Sequence, residues 1–272
     1  MTARGVAAVA RVEWSKLAGQ IRNRLIVAAC VLAPFIFAAV IALQSSLPED
    51  TLFGRSSRDS GFALALVVLG FSALWAFPVL GSIVGGDAFS SEDRYGTWAT
   101  VLTRSRSRSE IFAGKVIAAM AFCGALVVIL GASSLAAGML VVGAQPLVSL
   151  SGIILSPHDA LIRVALAWVS VLPAAAAFTA IAVLVSVATR NSAAGIGLPV
   201  LAGLALQLAA FVDGPEPVRR LLVTSAFNAW HGVLAEPRFY GPLVHGAIVS
   251  CVYLVLCLAL AYRMLRRRDI GG

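Results

Sequence analysis

Charge is the scarcest commodity in this chain. Only 12 % of its 272 residues are Asp, Glu, Lys or Arg, about half of what a soluble domain carries. No Asp, Glu, Lys or Arg falls near the middle of any long apolar run. A central charge in a bilayer helix costs about 2.5–3.5 kcal/mol on insertion scales and is usually retained for ion or proton handling, so no relay for an ion gradient is visible. Enzyme signatures are missing too: there is no H-E-x-x-H, no G-x-S-x-G, no Cys-x-x-Cys and no G-x-x-x-x-G-K-[ST] nucleotide-binding loop. The four cysteines, Cys30, Cys123, Cys251 and Cys257, all fall inside apolar runs, where a thiol behaves as a small hydrophobe, and they suggest neither a disulfide framework nor a metal cluster. The three histidines, His158, His231 and His245, show no ligand spacing. A cleavable signal peptide is not expected, because the polar lead is long and the apolar stretch after it is of spanning length.

What the chain has instead is apolar length. It is 60 % hydrophobic with a mean hydropathy of +0.92. Six stretches reach the roughly 20 residues that a bilayer core demands of a helix: about Leu25–Leu43, Phe62–Val84, Val116–Val142, Leu161–Val187, Ala193–Val212 and Leu243–Tyr262. Their apolar character is continuous rather than alternating, which selects helices over barrel strands. The net charge of +8 does not point to nucleic acid, because the basic residues flank these runs rather than gathering on one soluble face. Fifteen of the 21 Lys and Arg residues fall before the first run, between the second and third, between the fourth and fifth, or after the sixth. The positive-inside rule then places both termini in the cytoplasm. An Arg-rich, Lys-poor, Ala-rich composition suggests a GC-rich bacterial genome, and hence the bacterial inner membrane.

Three features lie beside the runs. Ala10, Trp14, Leu17 and Ile21 repeat at helical spacing in residues 1–24, which predicts a helix lying in the cytoplasmic interface; an ordinary basic flank is the plainer alternative. Val223, Phe227, Trp230 and Leu234 repeat the same spacing within the 213–242 loop, bracketed by Pro215, Pro217, Pro237 and Pro242, which predicts a short outer helix dipping into the headgroups. Gly81 and Gly85 make a GxxxG, a weak packing signal in a chain with 24 glycines.

The polar stretch between the second and third runs is the most specific feature. It reads Glu92-Asp-Arg-Tyr-Gly96-Thr97-Trp98, then Leu102, then Arg104, Arg106, Ser107 and Arg108, then Gly114-Lys115. Asp87 through Leu102 predicts a short helix along the membrane, with Phe89, Trp98 and Val101 apolar and Glu92, Asp93 and Arg94 polar. The stretch resembles the membrane subunits of type-2 ATP-binding-cassette exporters, whose pattern there is E-x-x-x-G-T, a Leu-containing turn, P-x-S-R and then G-K. Glu92, Gly96, Thr97, Leu102, Ser107, Arg108, Gly114 and Lys115 match in order and spacing, and Ser105 replaces the usual Pro.

The resemblance implies an all-α integral membrane protein of six transmembrane helices in one domain, with an N-terminal interfacial helix, a cytoplasmic coupling helix within residues 86–115, and a short outer helix before the sixth span. It implies a permease without enzymatic activity of its own, paired with two copies of a separately encoded ATPase subunit that carries ATP and Mg. A second permease copy is the other expected partner, as a homodimer or less favourably a heterodimer, with membrane lipid around them. ATPase-coupling residues would be Asp87, Phe89, Glu92, Tyr95, Gly96, Thr97, Trp98 and Leu102. Arg108, Lys115 and Trp14 would lie at the cytoplasmic interface. Phe71, Ser72, Trp75, Phe77 and Gln207, on the second and fifth spans, are candidates to line a path for an amphipathic drug, lipid or glycan, and lipid contact or helix packing is the alternative for each. Two other readings stay open: a membrane anchor or assembly factor without transport, and a gradient-driven carrier.

Overall fold

The computed structural model describes residues 2–44, 51–98, 107–209 and 220–267. Among them are six helices long and apolar enough to cross a membrane: Ile21–Leu43, Gly61–Asp87, Arg108–Val141, Pro157–Thr189, Ser192–Ala209 and Gly241–Arg266. The chain is a helical, multi-pass membrane protein.

Before the first span, α1 (Ala3–Gly19) starts at Thr2, whose hydroxyl accepts from the Gly5 N–H. It ends at Gln20, where the backbone turns extended. The side chains of Asn23 and Arg24, in α2 (Ile21–Leu43), reach back and donate to the Leu17 and Ala18 carbonyls, two of the acceptors a helix end leaves open. The expected stripe is therefore corrected: Ile21 belongs to the next helix, and α1 does not simply lie on an interface. It packs on the third span, with Val9 beside Gly114 and Trp14 edge-on to Phe122 at 5.5 Å.

The second span, α3 (Gly61–Asp87), is α-helical except for a π-helical turn at Ser72–Ala76. After it come the five-residue α4 (Ser90–Arg94) and the long α5 (Arg108–Val141). Ser107 and Glu110 form a capping box at the start of α5, each satisfying a backbone N–H of the other's segment. The helix thus begins at Arg108, ahead of the expected Val116, and carries Lys115 inside it.

A two-stranded antiparallel hairpin follows, β1 (Leu147–Val148) with β2 (Ile154–Leu155), pairing Leu147 with Leu155. It is a small departure from the all-α expectation. The fourth run is interrupted: α6 (Pro157–Ser170) gives way at Val171 to α7 (Leu172–Thr189). Pro173 explains the break, since its ring has no N–H to donate and opposes the preceding turn. From α7 the chain turns sharply through Arg190, at φ 56°, and Asn191, whose Oδ1 accepts from the N–H groups of Ala193 and Ala194 at the start of α8 (Ser192–Ala209).

The last elements are a 3-10 helix, Val223–Leu234, and α9 (Gly241–Arg266). The expected amphipathic segment is present, but it is 3-10 and not in the headgroups. Val223, Phe227, Trp230 and Leu234 are all fully buried or nearly so. Phe227 meets Phe77 at 5.5 Å and Phe178 at 6.4 Å. Phe77 lies sixteen residues beyond Gly61, about 24 Å along the helix at 1.5 Å per residue. The segment therefore dips deep into the bundle from the end opposite the termini.

α5 touches α1, α2, α3 and α7, and α7 touches α3, α8 and α9, so these two helices form the centre. Close approach is bought with glycine. A Cβ at Gly85 would lie 2.5 Å from the Thr179 carbonyl oxygen, and one at Gly86 would lie 2.3 Å from that of Gly195. The Gly81–Gly85 pair thus does face a neighbouring helix, α7, which corrects its reading as a weak signal. Peripheral α2, α8 and α9 keep large apolar side chains such as Ile36, Leu201 and Leu256 exposed, as lipid-facing or partner-facing helices do.

Candidate functional site

The residues of the polar stretch converge at the end of the bundle that carries the termini. α4 leaves the end of α3 and is stopped after five residues by Gly96, whose φ is +63°. The Gly96 N–H donates to the Asp93 carbonyl at 3.3 Å, and the Thr97 N–H donates to the Glu92 carbonyl at 3.0 Å. This pair of bonds is a Schellman cap, which needs a left-handed residue at the position Gly96 fills. The helix expected over Asp87–Leu102 is shorter for this reason.

The same turn returns Thr97 to Glu92, and the Thr97 hydroxyl donates to the Glu92 carboxylate. Glu92 is not the exposed polar residue expected: it is buried. Lys115 donates to Glu92 Oε1 at 2.8 Å, to Glu13 Oε2 at 2.9 Å and to the Ala88 carbonyl at 3.2 Å. Three acceptors surround the three N–H donors of one ammonium. Lys16 completes the set, 2.9 Å from Glu13 and 3.2 Å from Glu92. The two lysines of this cluster are the only lysines in the chain. Burial alone would raise the Glu92 carboxyl, but Lys115, Thr97 and Lys16 outweigh it and hold the group at about 2. Burial likewise opposes the charge on Lys16, and Glu13 and Glu92 outweigh it, so its pKa rises.

Further ties fix α4 to its surroundings. Arg22 of α2 pairs with Asp87 at 3.0 Å. The Ser186 hydroxyl on α7 accepts from the Phe89 and Ser90 N–H groups at 3.2 and 3.0 Å, two donors that a helix start leaves open. Ser90 Oγ lies 3.2 Å from Ser192 Oγ of α8. Beneath, Phe89 stacks on Trp98 at 6.4 Å and meets Phe112 at 5.5 Å, which in turn meets Tyr262 of α9 at 5.2 Å. Gly114 supplies the close approach of α1, since a Cβ there would fall 2.6 Å from Val9. The segment E-x-x-x-G-T…G-K is thus one folded knot: a helix cap, its carboxylate, and the ammonium that neutralises it.

The expected coupling residues divide into two groups. Asp87, Phe89, Glu92, Thr97 and Trp98 are engaged within the chain. Tyr95 is 66 % exposed, with the Arg94 guanidinium 4.6 Å from its ring centroid, and Gly96 has open space around it. Leu102 lies outside the described residues, as do Val101, Arg104, Ser105 and Arg106. Of the expected interface residues, Lys115 is buried in the knot and Trp14 rests on Phe122, while Arg108 donates to the Arg266 carbonyl at 3.3 Å. Sequence reasoning missed Glu13, Lys16 and Glu110. The pattern Ser107-x-x-Glu110 before an apolar run was a readable capping signal; the role of Glu13 in holding Lys115 has no local signature, because the two lie 102 residues apart.

The candidate path residues are not gathered on one surface. Phe77 is fully buried among Trp168 and Phe227, because the inserted 3-10 helix occupies the space beside it. Ser72 is buried as well, whereas Phe71 and Trp75 are exposed, Phe71 meeting Phe37 at 5.7 Å. Gln207 is buried and its Nε2 donates to the Ala73 carbonyl at 3.1 Å. A π-helical turn displaces the usual backbone partners, and a side chain from the facing helix supplies a donor. Among the described residues there is no group of three or more His, Cys, Asp or Glu placed to hold a metal ion.

No curated protein matches the sequence. A family model does match, over residues 25–271, which take in the Glu92–Lys115 segment and nearly all of the six spans but not α1 with Glu13 and Lys16. The chain therefore belongs to the family described as "Protein of unknown function (DUF2705)".

Proposed function

We propose that this chain is the permease subunit of an ATP-driven exporter of the type-2 ATP-binding-cassette kind, working in the bacterial inner membrane with both termini in the cytoplasm. In this reading ATP and Mg belong to two copies of a separately encoded ATPase subunit, and the chain itself is not an enzyme. Two permease copies, most simply a homodimer, enclose a path for an amphipathic substrate such as a drug, lipid or glycan. The observation that carries the reading is the knot around Glu92 and Lys115. It binds α4 to α1, α5, α7 and α8, and the end of α3 to α2, at one end of the bundle, while Tyr95 and Gly96 at its tip remain exposed. Force applied to such a tip is transmitted to several spans together, because the residues behind it are locked by ion pairs and stacked rings. A membrane anchor without transport has no need of an exposed tip rigidly tied to four helices.

The test is co-expression with the ATPase encoded nearest the gene. The chain retains that ATPase through purification, and substrate transport in vesicles depends on ATP. Tyr95→Ala, which leaves the buried knot intact, lowers coupled ATPase activity on the order of tenfold, the usual effect of truncating an interface anchor, with membrane insertion unchanged. Transport by the chain alone, or full coupling in Tyr95→Ala, overturns the reading.

A further inference from the structure

The connection between the third and fourth spans is built inside out. From Val116 to His158 the sequence carries no Asp, Glu, Lys or Arg. The other two connections at that end of the bundle are charged, with Arg55, Arg58 and Asp59 in one and Glu236 and Arg238 in the other. One face of the β1–β2 hairpin, Leu147 with Leu155, is buried in the core. The opposite face is apolar too. Its cross-strand pair is Val148 with Ile154, both exposed, Ile154 to 71 %. Leu150 and Ile153, at the turn, are exposed as well. An antiparallel pair with one face in water alternates apolar and polar side chains; this hairpin does not.

Its polar groups turn inward instead. The N–H groups of Ser149, Leu150, Gly152 and Ile153 donate to the Ile153 carbonyl at 2.8 Å, the Leu234 carbonyl at 3.0 Å, the Ser149 carbonyl at 3.0 Å and Ser149 Oγ at 3.1 Å. Ser151 Oγ donates to the Glu236 carbonyl at 2.9 Å and accepts from the Glu236 N–H at 2.8 Å. Backbone groups bonded within the protein are what hydrocarbon requires of any segment it surrounds. A loop bathed in water has no such need.

The same inversion continues into α6, which begins two residues after β2 and packs on it. Arg163 is buried there and ion-paired with Glu236, while Leu161, Ile162, Leu166 and Val169 are exposed. A helix facing water would turn its arginine out and its leucines in. Within a membrane the charge faces the protein interior and finds a partner. The apolar surface of the fourth span thus runs without a polar break in sequence from α6 back to the hairpin's outer face, across Ser156 alone.

We propose that the β1–β2 hairpin is immersed in the bilayer, with Val148, Leu150, Ile153 and Ile154 against the acyl chains of the leaflet at the end away from the knot. Continuity with the surface of a membrane span selects hydrocarbon as the occupant of this face. The inference concerns the position of the hairpin only and holds whether or not the chain belongs to an exporter.

The test is nitroxide accessibility in the full chain, reconstituted in phosphatidylcholine–phosphatidylglycerol vesicles. Cys251→Ser removes the exposed cysteine and leaves three buried ones. Labels at Val148→Cys and Ile154→Cys read the face from both strands. Leu201→Cys, exposed on α8, is the lipid reference, and Leu52→Cys, exposed in the charged 51–60 loop, is the aqueous one. Each of these side chains is exposed, so the labels displace no packing, and an unchanged melting temperature checks this. Molecular oxygen, which concentrates in hydrocarbon, relaxes the two hairpin labels several-fold more than a water-soluble nickel chelate does, as at Leu201, and the order reverses at Leu52. Hairpin labels that follow Leu52 place the loop in water and overturn the proposal. Labels shielded from both reagents show that a second copy or another protein covers the face, and overturn it equally.

Discussion

At the scale of single residues, Lys115 explains most. It is a rare lysine in a chain that otherwise uses arginine. Its compact ammonium directs three N–H groups at three acceptors on three segments; a planar guanidinium cannot reproduce that tripod. Lys115→Met removes the buried ammonium between Glu92 and Glu13 and leaves them only the more exposed Lys16, and removing one partner of a buried ion pair costs about 3–5 kcal/mol. Lys115→Arg keeps the charge but misplaces it, with an expected loss of about 1–3 kcal/mol. Thermal melting in detergent ranks the three proteins as parent, Arg, Met. The pH dependence has a definite sign. Glu92 titrates at about 2 when folded, against 4.5 for a free carboxyl. A lowered folded pKa means that its stabilisation is complete above about 4.5 and is lost as the pH falls from there towards 2. The melting temperature of the parent chain should therefore drop below pH 4.5, and Glu92→Gln should flatten that part of the profile. An equally steep drop in Glu92→Gln would show that some other carboxylate governs acid stability.

At the scale of elements, the helix contacts set narrow tolerances. α3 and α8 meet where Gly86 and Gly195 bring backbone to backbone, and a Cβ at either position would fall 2.3 Å from the other's carbonyl oxygen. Gly86→Val has no flexible neighbour to displace, so the two helices must separate, at about 1–3 kcal/mol or more. A lowered melting temperature checks this, and Gly197→Val, where no atom lies within 4 Å of the added carbon, is the matched control. The spans themselves were legible in the sequence, because twenty uncharged apolar residues leave the chain no other stable form in a bilayer. The N-terminal helix and the amphipathic segment near Trp230 were legible as periodic patterns. Their packing was not. Period alone does not say whether an apolar face meets lipid or protein, so Phe227 and Trp230 read as interfacial although they fill the bundle core. The π-helical turn was illegible for a related reason: its partner, Gln207, lies more than 130 residues away. At the knot, the sequence displayed the residue types and spacing of the motif but not its direction. Glu92 reads as a polar surface residue until Lys115, from the far side of a 23-residue interval, is seen to hold it inside.

At the scale of the whole molecule, charge and shape meet in one question, that of sidedness. The knot and both described termini lie at one end of the bundle: α1 packs beside Gly114, and Arg108 reaches the Arg266 carbonyl near the end of α9. That end also holds most of the positive charge by sequence position, with nineteen arginines and two lysines in all and only six of them assigned to the opposite side. Arg163 shows why those six are no ordinary minority. It lies within α6, is 4 % exposed and is ion-paired with Glu236, so it serves the packing of that end of the bundle. Arg58 likewise donates to the Ile41 carbonyl at the end of α2. The expected outcome is that single cysteines placed at Arg4 and Arg267 resist a membrane-impermeant maleimide in intact cells, while those at Leu52 and Phe239, both exposed, are labelled. Orientation by positive charge is graded: adding basic residues to the 51–60 loop should begin to invert a fraction of the molecules, visible as labelling at Arg267. Labelling at Arg4 and Arg267 in the unaltered protein would place the knot outside the cell, beyond the reach of any cytoplasmic ATPase, and the proposed function would fall with it.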